Sequence, residues 1–378
     1  MNFIPYGKQL LDKDDIDAVV QTLNSDYLTT GPKVIAFEDA LSEYCNVTFT
    51  IAVANGTAAL HLASLVLLNK GDKVLTTPNS FLATSNAILY AEAVPVFIDI
   101  SEDGNIDLDL CEEALKKDSS IKAIYAVAFS GRMLDQVKLK YLKKTYNVSI
   151  LEDCAHAIGA KDGTIKAASC INSDVSILSF HPVKHMTTGE GGAITTNSKE
   201  LYEKMLILRG HGMVKTSEMK PWEYEMRELG FNYRITDMQC ALGLSQLSKL
   251  DSFIKRRIEL VKAYDKAFEG TIVNSLYTYD GKSSYHLYVV LVDFSTLSIT
   301  KEHLFNELRE KDIGIQLHYI PINKQPYYKS LGYGDEITPI MNKYYEECFS
   351  LPMFPKLRNE EQEYIIKTLF QVLNGQLK

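Results

Sequence analysis

A chain of 378 residues, 46% hydrophobic and 23% charged, has the balance of an ordinary globular protein and the length for two domains. A net charge of −8 and the lack of any tract rich in lysine and arginine exclude a nucleic-acid surface built on positive charge. No apolar run reaches membrane-span length, the first residues lack a signal-peptide pattern, and the six cysteines are scattered without a C-x-x-C pair; together these point to a cytoplasmic protein with neither a metal site nor a disulfide framework.

Ile16, Val19, Val20 and Leu23 recur at helical spacing behind Asp12, a candidate N-cap, and predict a first helix over residues 12–24. Gly31-Pro32 opens a second, followed by Val34, Phe37 and Leu41. The flanking loops, at Tyr6 and at Asp26-Tyr27-Leu28-Thr29-Thr30, hold more aromatic and hydroxyl groups than a linker needs. From residue 50 the chain alternates: strands at 50–53, 73–76, 94–98, 121–128 and 148–151, and helices at 56–68, 80–90, 108–117 and 136–146. Two further apolar strands, 175–180 and 193–196, flank a glycine-rich turn. This alternation predicts an α/β fold with a large, mostly parallel sheet covered on both faces, and ligands beyond the carboxyl ends of its strands. Thr236 caps a long helix running to about Phe268, which connects a large domain (residues 1–250) to a small C-terminal α+β domain (251–378). The small domain is expected to contain a strand at 285–292, a helix at 301–311, a strand at 315–320 and closing helices.

Polar residues gather at the strand ends. Lys184 lies between the last two strands, before Gly189, Gly191 and Gly192. Such a lysine is either a plain surface-loop residue or an amine that condenses with a cofactor aldehyde. Gly56 and Thr57 open a helix where free N–H groups and the helix dipole favour a phosphate, although ordinary capping would use the same residues. Asp153, just past a strand, is either a turn residue or the partner of a protonated pyridine nitrogen. His156 fits an orienting, ring-contacting or purely structural role, and Phe81 fits cofactor stacking or core packing. Ser179 offers a phosphate donor; Asn232 and Gln316-Leu317-His318-Tyr319 lie in polar breaks. Taken singly, none of these exceeds its plain reading. As an ordered set, they supply what a pyridoxal phosphate site requires: an aldehyde partner, a pyridinium partner, a ring face and phosphate donors.

The segments GPKVIAFEDAL, ANGTAALHLA, TTPNSFLATSNAI, PVFIDI, ILEDCAHAIGA, SFHPVKHMTTGEGGAITTN, LRGHGM and GFNYRITDMQCALGLSQL resemble the DegT/DnrJ/EryC1/StrS family of nucleotide-sugar aminotransferases over essentially the whole chain. The resemblance implies the aspartate aminotransferase-like fold (fold type I), pyridoxal 5'-phosphate as cofactor, and a homodimer with sites at the interface. It implies that Lys184 carries the cofactor, Asp153 faces the pyridinium, and Phe81 stacks on the ring. Gly56, Thr57 and Ser179 then hold the phosphate, and Asn232 reaches in from the partner subunit. Many members have glutamine where this chain has His156. With SFHPVKHMTTGEGG, RGHGM and QLHYIPI, that histidine makes the chain more similar to the pseudaminic acid branch. This branch implies transfer of an amino group from L-glutamate to C4 of a UDP-linked 2-acetamido-2,6-dideoxy-4-hexulose. Substrate contacts then fall to Tyr6, to Asp26, Tyr27, Leu28 and Thr29, and to Gln316, Leu317, His318 and Tyr319. The alternatives are a perosamine- or bacillosamine-type aminotransferase and a non-catalytic binding protein on the same fold. A sugar 3-dehydratase of this fold would carry histidine in place of Lys184.

Overall fold

The computed structural model describes residues 3–373. Its centre is a seven-stranded sheet of β1 (Phe49–Val53), β2 (Lys73–Thr76), β3 (Val94–Phe97), β4 (Ile121–Val127), β5 (Ser149–Asp153), β6 (Val175–Ser179) and β7 (Gly192–Thr196). They lie in the order β1-β7-β6-β5-β4-β2-β3. Neighbours from β6 to β3 are parallel, and β7 runs antiparallel to both of its neighbours. Alternate residues supply opposite faces, as the pleat requires. Ala123 and Tyr125 join one apolar cluster, whereas Ile124 and Ala126 join another. The first cluster includes α3 (Gly56–Leu67) and residues of the helices Leu82–Tyr90 and Lys199–Arg209; the second takes in the helices Leu108–Lys117 and Gln136–Tyr146.

Pairing register builds the floor of the site. Val53 at the end of β1 faces Gly192 at the start of β7, and Gly192 faces Ser179 at the end of β6. Three chain segments therefore converge with almost no space between them. A Cβ on Gly192 would stand 2.6 Å from the Asn55 carbonyl carbon and 2.7 Å from the Gly56 nitrogen, so only glycine allows the approach.

The helix Asp237–Phe268 joins two cores. Thr236 caps it with a capping box closed by Gln239. Cys240, Leu247, Leu250 and Ile254 pack into the core beneath the large sheet, whereas Leu260, Val261, Tyr264 and Phe268 pack into the small-domain core. Ile4 belongs to the second core and pairs with Ile313. The small domain holds three antiparallel strands, β8 (Asn274–Ser275), β9 (Tyr288–Leu291) and β10 (Cys348–Leu351).

The small domain departs from expectation in two places. The strand expected at 315–320 is irregular, with one bridge from Gln316 to Ser350 at the edge of β10. The third strand is instead Cys348–Leu351, in a stretch expected to be helical. One pairing with β10 satisfies Gln316, after which the chain turns away and directs His318 and Tyr319 elsewhere.

Candidate active site

Lys184 sits on the turn between β6 and β7, half-buried, its N–H bonded to the His181 carbonyl at 2.9 Å. Its side chain forms no ion pair among the described residues. Burial pulls its amine down to about 8, and the nearby Asp153 charge opposes that shift only in part. At pH 7 about a tenth of the amine is thus unprotonated and nucleophilic, far more than for an ordinary lysine.

Asp153 is the last residue of β5 and is buried. Its carboxylate accepts from the Thr84 hydroxyl at 2.6 Å and the Ala155 N–H at 3.0 Å. Thr84 is held in turn by Ser80 at 2.7 Å. Burial raises the Asp153 carboxyl pKa; Thr84, Ala155 and the Lys184 charge pull it back. With two hydrogen bonds made, the carboxylate retains lone pairs for a protonated ring nitrogen.

A candidate phosphate cradle lies at the neighbouring strand ends. Asn55 caps α3 by accepting from the Ala58 N–H at 2.8 Å, and its carbonyl takes the Ala59 N–H. The Gly56 and Thr57 amides ahead of them have no partner among the described residues. Ser179 closes the other side: a Cβ on Gly56 would approach its Oγ to 3.3 Å. Free amides at a helix start, a hydroxyl and a glycine with little room for a side chain fit a phosphate group. Removing the hydroxyl with Ser179→Ala is expected to weaken cofactor binding about tenfold, read by spectral titration of the cofactor-free protein.

The small domain supplies the opposite wall. Tyr319 Oη lies 3.2 Å from His156 Nε2, and its ring is 6.1 Å from that of Phe81. Phe81, at the start of its helix, is 58% exposed and presents a free aromatic face. His318 meets Ser350 through Nδ1 at 2.8 Å and packs 5.2 Å from the Tyr6 ring. Four buried histidines, His156, His185, His286 and His318, surround the lysine, and burial holds each imidazole below its ordinary value, His318 at about 3. Leu317 packs against the cluster of Phe129 and Met341.

The residues expected at the site thus fall into two groups. Tyr6 meets His318, Tyr319 meets His156 and Phe81, and Lys184 lies near Asp153, His156 and His318, while Gly56, Thr57 and Ser179 sit together at the neighbouring strand ends; Gln316 and Leu317 precede His318 in the chain. Asp26, Tyr27, Leu28, Thr29 and Asn232 are exposed and belong to a separate lip around the start of the long helix. There, buried Asp237 accepts from the Gly31 N–H at 2.7 Å and from the Lys33 N–H at 3.2 Å, and its own N–H donates to the Leu28 carbonyl. Sequence reasoning missed Thr84, His286 and Asp237. For Thr84, the Ser80–Thr84 spacing at a helix start was an available signal; His286 sits in an ordinary strand pattern and gave none.

This sheet, with an amine, a buried carboxylate and a phosphate cradle at its strand ends, is that of a pyridoxal phosphate-dependent aminotransferase of fold type I. The chain belongs to the DegT/DnrJ/EryC1/StrS aminotransferase family, which it matches over residues 9–370, and it is a nucleotide-sugar aminotransferase. A UDP-4-amino-4,6-dideoxy-N-acetyl-beta-L-altrosamine transaminase of Campylobacter jejuni is 41% identical over 376 residues, 98% of this chain and 97% of that protein. Helicobacter pylori PseC, an aminotransferase involved in the biosynthesis of pseudoaminic acid, superposes with a TM-score of 0.93 at 32% identity, covering 99% of this chain and all of the other. The sugar aminotransferase Spr1654 of Streptococcus pneumoniae, described as putative and solved in its PLP form, gives 0.90 at 31% identity, with 98% of each chain covered.

Proposed function

We propose that this chain transfers the amino group of L-glutamate to C4 of a UDP-linked 2-acetamido-2,6-dideoxy-4-hexulose, in pseudaminic acid-type biosynthesis in the cytoplasm. The observation carrying this reading is the wall opposite Lys184: Tyr6, His156, His318 and Tyr319 offer hydroxyl and neutral imidazole groups, suited to an uncharged sugar ring. The resemblance to altrosamine transaminases points to the same sugar class.

Bound pyridoxal phosphate supplies an electron sink that makes the hydrogen beside the amino group acidic. The chain supplies the rest. The Gly56 and Thr57 amides and Ser179 hold the phosphate, Phe81 offers the stacking face, and Asp153 keeps the ring nitrogen protonated. Lys184 first removes the proton from the glutamate Cα as 2-oxoglutarate is produced, and later delivers a proton to the sugar C4. Ping-pong kinetics follow from the two halves. A product assay with UDP-4-keto-6-deoxy sugars of both C4 configurations, and with dTDP analogues, tests the assignment. Amination confined to a perosamine- or bacillosamine-type substrate selects that alternative, and failure of borohydride to fix the cofactor on Lys184 supports a non-catalytic binding protein.

The exposed lip carries a second element of the proposal. Asn232, together with residues 26–29, which Asp237 ties to the long helix at Leu28, completes the cleft of a second copy, and Trp222, Tyr224, Met226 and Leu229 offer apolar contact on the stretch leading to Asn232. Mixing inactive Lys184→Arg with inactive Asn232→Ala protein is expected to restore activity to about a quarter of wild type, because half of randomly exchanged dimers hold one intact site. No recovery after verified subunit exchange contradicts the shared site.

A further inference from the structure

We propose that His286 is a positioning residue: packed on the His156 ring and anchored through its backbone to Arg257 and Ser130, it fixes the orientation of His156 beside Lys184. This deepens the pyridoxal phosphate reading of the site and rests on it.

His286 is over-determined. Its N–H donates to the Ser130 carbonyl at 2.9 Å, and its carbonyl accepts from Arg257 Nη1 at 3.1 Å. The same guanidinium nitrogen reaches the Tyr285 and Met353 carbonyls at 3.3 and 3.0 Å. Arg257 is 1% exposed and pairs with no carboxylate among the described residues; its Nη1 is shared among these three carbonyls, two of them at Tyr285 and His286, while its Nε is buried without a partner. Gly131, at φ +99°, lets the segments meet: a Cβ there would stand 2.8 Å from the His156 carbonyl and 2.9 Å from the His286 nitrogen.

The His286 ring lies 4.4 Å from the His156 ring and 5.7 Å from that of His185. The His156 ring thus packs on His286 and lies 6.2 Å from the Tyr319 ring and 6.1 Å from that of Phe129. The Nδ1 atoms of His156, His185 and His286 are all buried without a partner. His185 donates from Nε2 to the Ser284 carbonyl at 3.0 Å, which leaves Nδ1 of its neutral ring a bare acceptor. Orphaned polar atoms this close together are costly to bury. His156 meets Tyr319 through Nε2, and the Lys184, His185 and His318 charges all act on its ring. Burial and the Lys184 charge keep the His156 ring neutral, so Lys184 is left to carry the proton alone.

The test uses the full-length chain without added cofactor, labelled with 13C at histidine Cε1, the His156 signal being assigned by its loss in His156→Gln. In wild type, His156 is expected not to titrate between about pH 5.5 and 8.5. In His286→Ala it should begin to titrate in that window, because the loosened ring meets water. His286→Phe should restore silence, since a ring again packs on His156. Pyridoxal phosphate affinity, measured separately, should fall about tenfold in His286→Ala and less than about threefold in His286→Phe. A lower melting temperature in His286→Ala, with His156 still silent and affinity unchanged, overturns the proposal. If His286→Ala does not fold, His286→Asn and Arg257→Lys take its place, and an unmoved His156 in both is equally fatal. These outcomes are independent of which sugar is aminated: a silent, well-held His156 in an enzyme that rejects every UDP-4-keto sugar refutes the substrate assignment and leaves the positioning role standing.

Discussion

Lys184→Arg is expected to lower turnover by about 10⁴-fold or more while leaving the fold intact. Guanidinium stays protonated under assay conditions, so the variant loses both the nucleophile and the proton carrier. The methionine variant separates chemistry from stability. Burial has already drawn the Lys184 amine down to about 8, so the native lysine opposes folding of the cofactor-free chain. Below about pH 8 both folded and unfolded chains hold the proton and the full burial cost applies. Between that value and the ordinary lysine range the unfolded chain holds a proton the folded chain has released, so stability climbs with pH; above that range the penalty is gone. Lys184→Met should therefore be inactive yet more stable than wild type at pH 7, by roughly 1–3 kcal/mol, with the advantage fading as pH rises towards 10.5. Denaturant melts of the cofactor-free proteins at pH 7 and pH 10 check both the sign and the trend.

Asp153→Asn is the second large effect. The amide retains an oxygen for the Thr84 hydroxyl or the Ala155 N–H, so the fold should persist. It lacks the charge that holds a ring nitrogen protonated, and its N–H₂ group presents donors where an acceptor is needed. The rate of the glutamate half-reaction should fall roughly 10³-fold by rapid-mixing absorbance. The melting temperature of the cofactor-free protein should change little or rise, because the raised Asp153 carboxyl already marks a charge held at a cost. A rate within about fivefold of wild type would show that Asp153 is a strand-end turn residue after all.

Much of the large domain was legible because its strands are continuous apolar runs buried on both faces, and their ends follow from where those runs stop. Asp153, Ser179 and Gly56 were found by that rule. The small domain was less legible. Residues 315–320 alternate like a strand, yet among the described residues only Gln316 finds a backbone partner, while Leu317 packs against Phe129 and Met341 and His318 and Tyr319 meet Tyr6 and His156. Cys348–Leu351 is a strand because β9 lies open beside it, a tertiary cause that no local pattern records. His286 and Arg257 escaped notice for the same reason. Their roles depend on the approach at Gly131 of segments more than a hundred residues apart in sequence, whereas the candidate roles of Lys184 follow from a single loop.

The helix Asp237–Phe268, 32 residues and so about 48 Å long, has a consequence for how the molecule comes apart. Its first half is stitched into one apolar core and its second half into the other, with Ile258 touching both. Neither core can melt without fraying a helix the other depends on. Heating should therefore give one cooperative endotherm rather than two, and amides near Ile258 should exchange with solvent only in the globally opened chain.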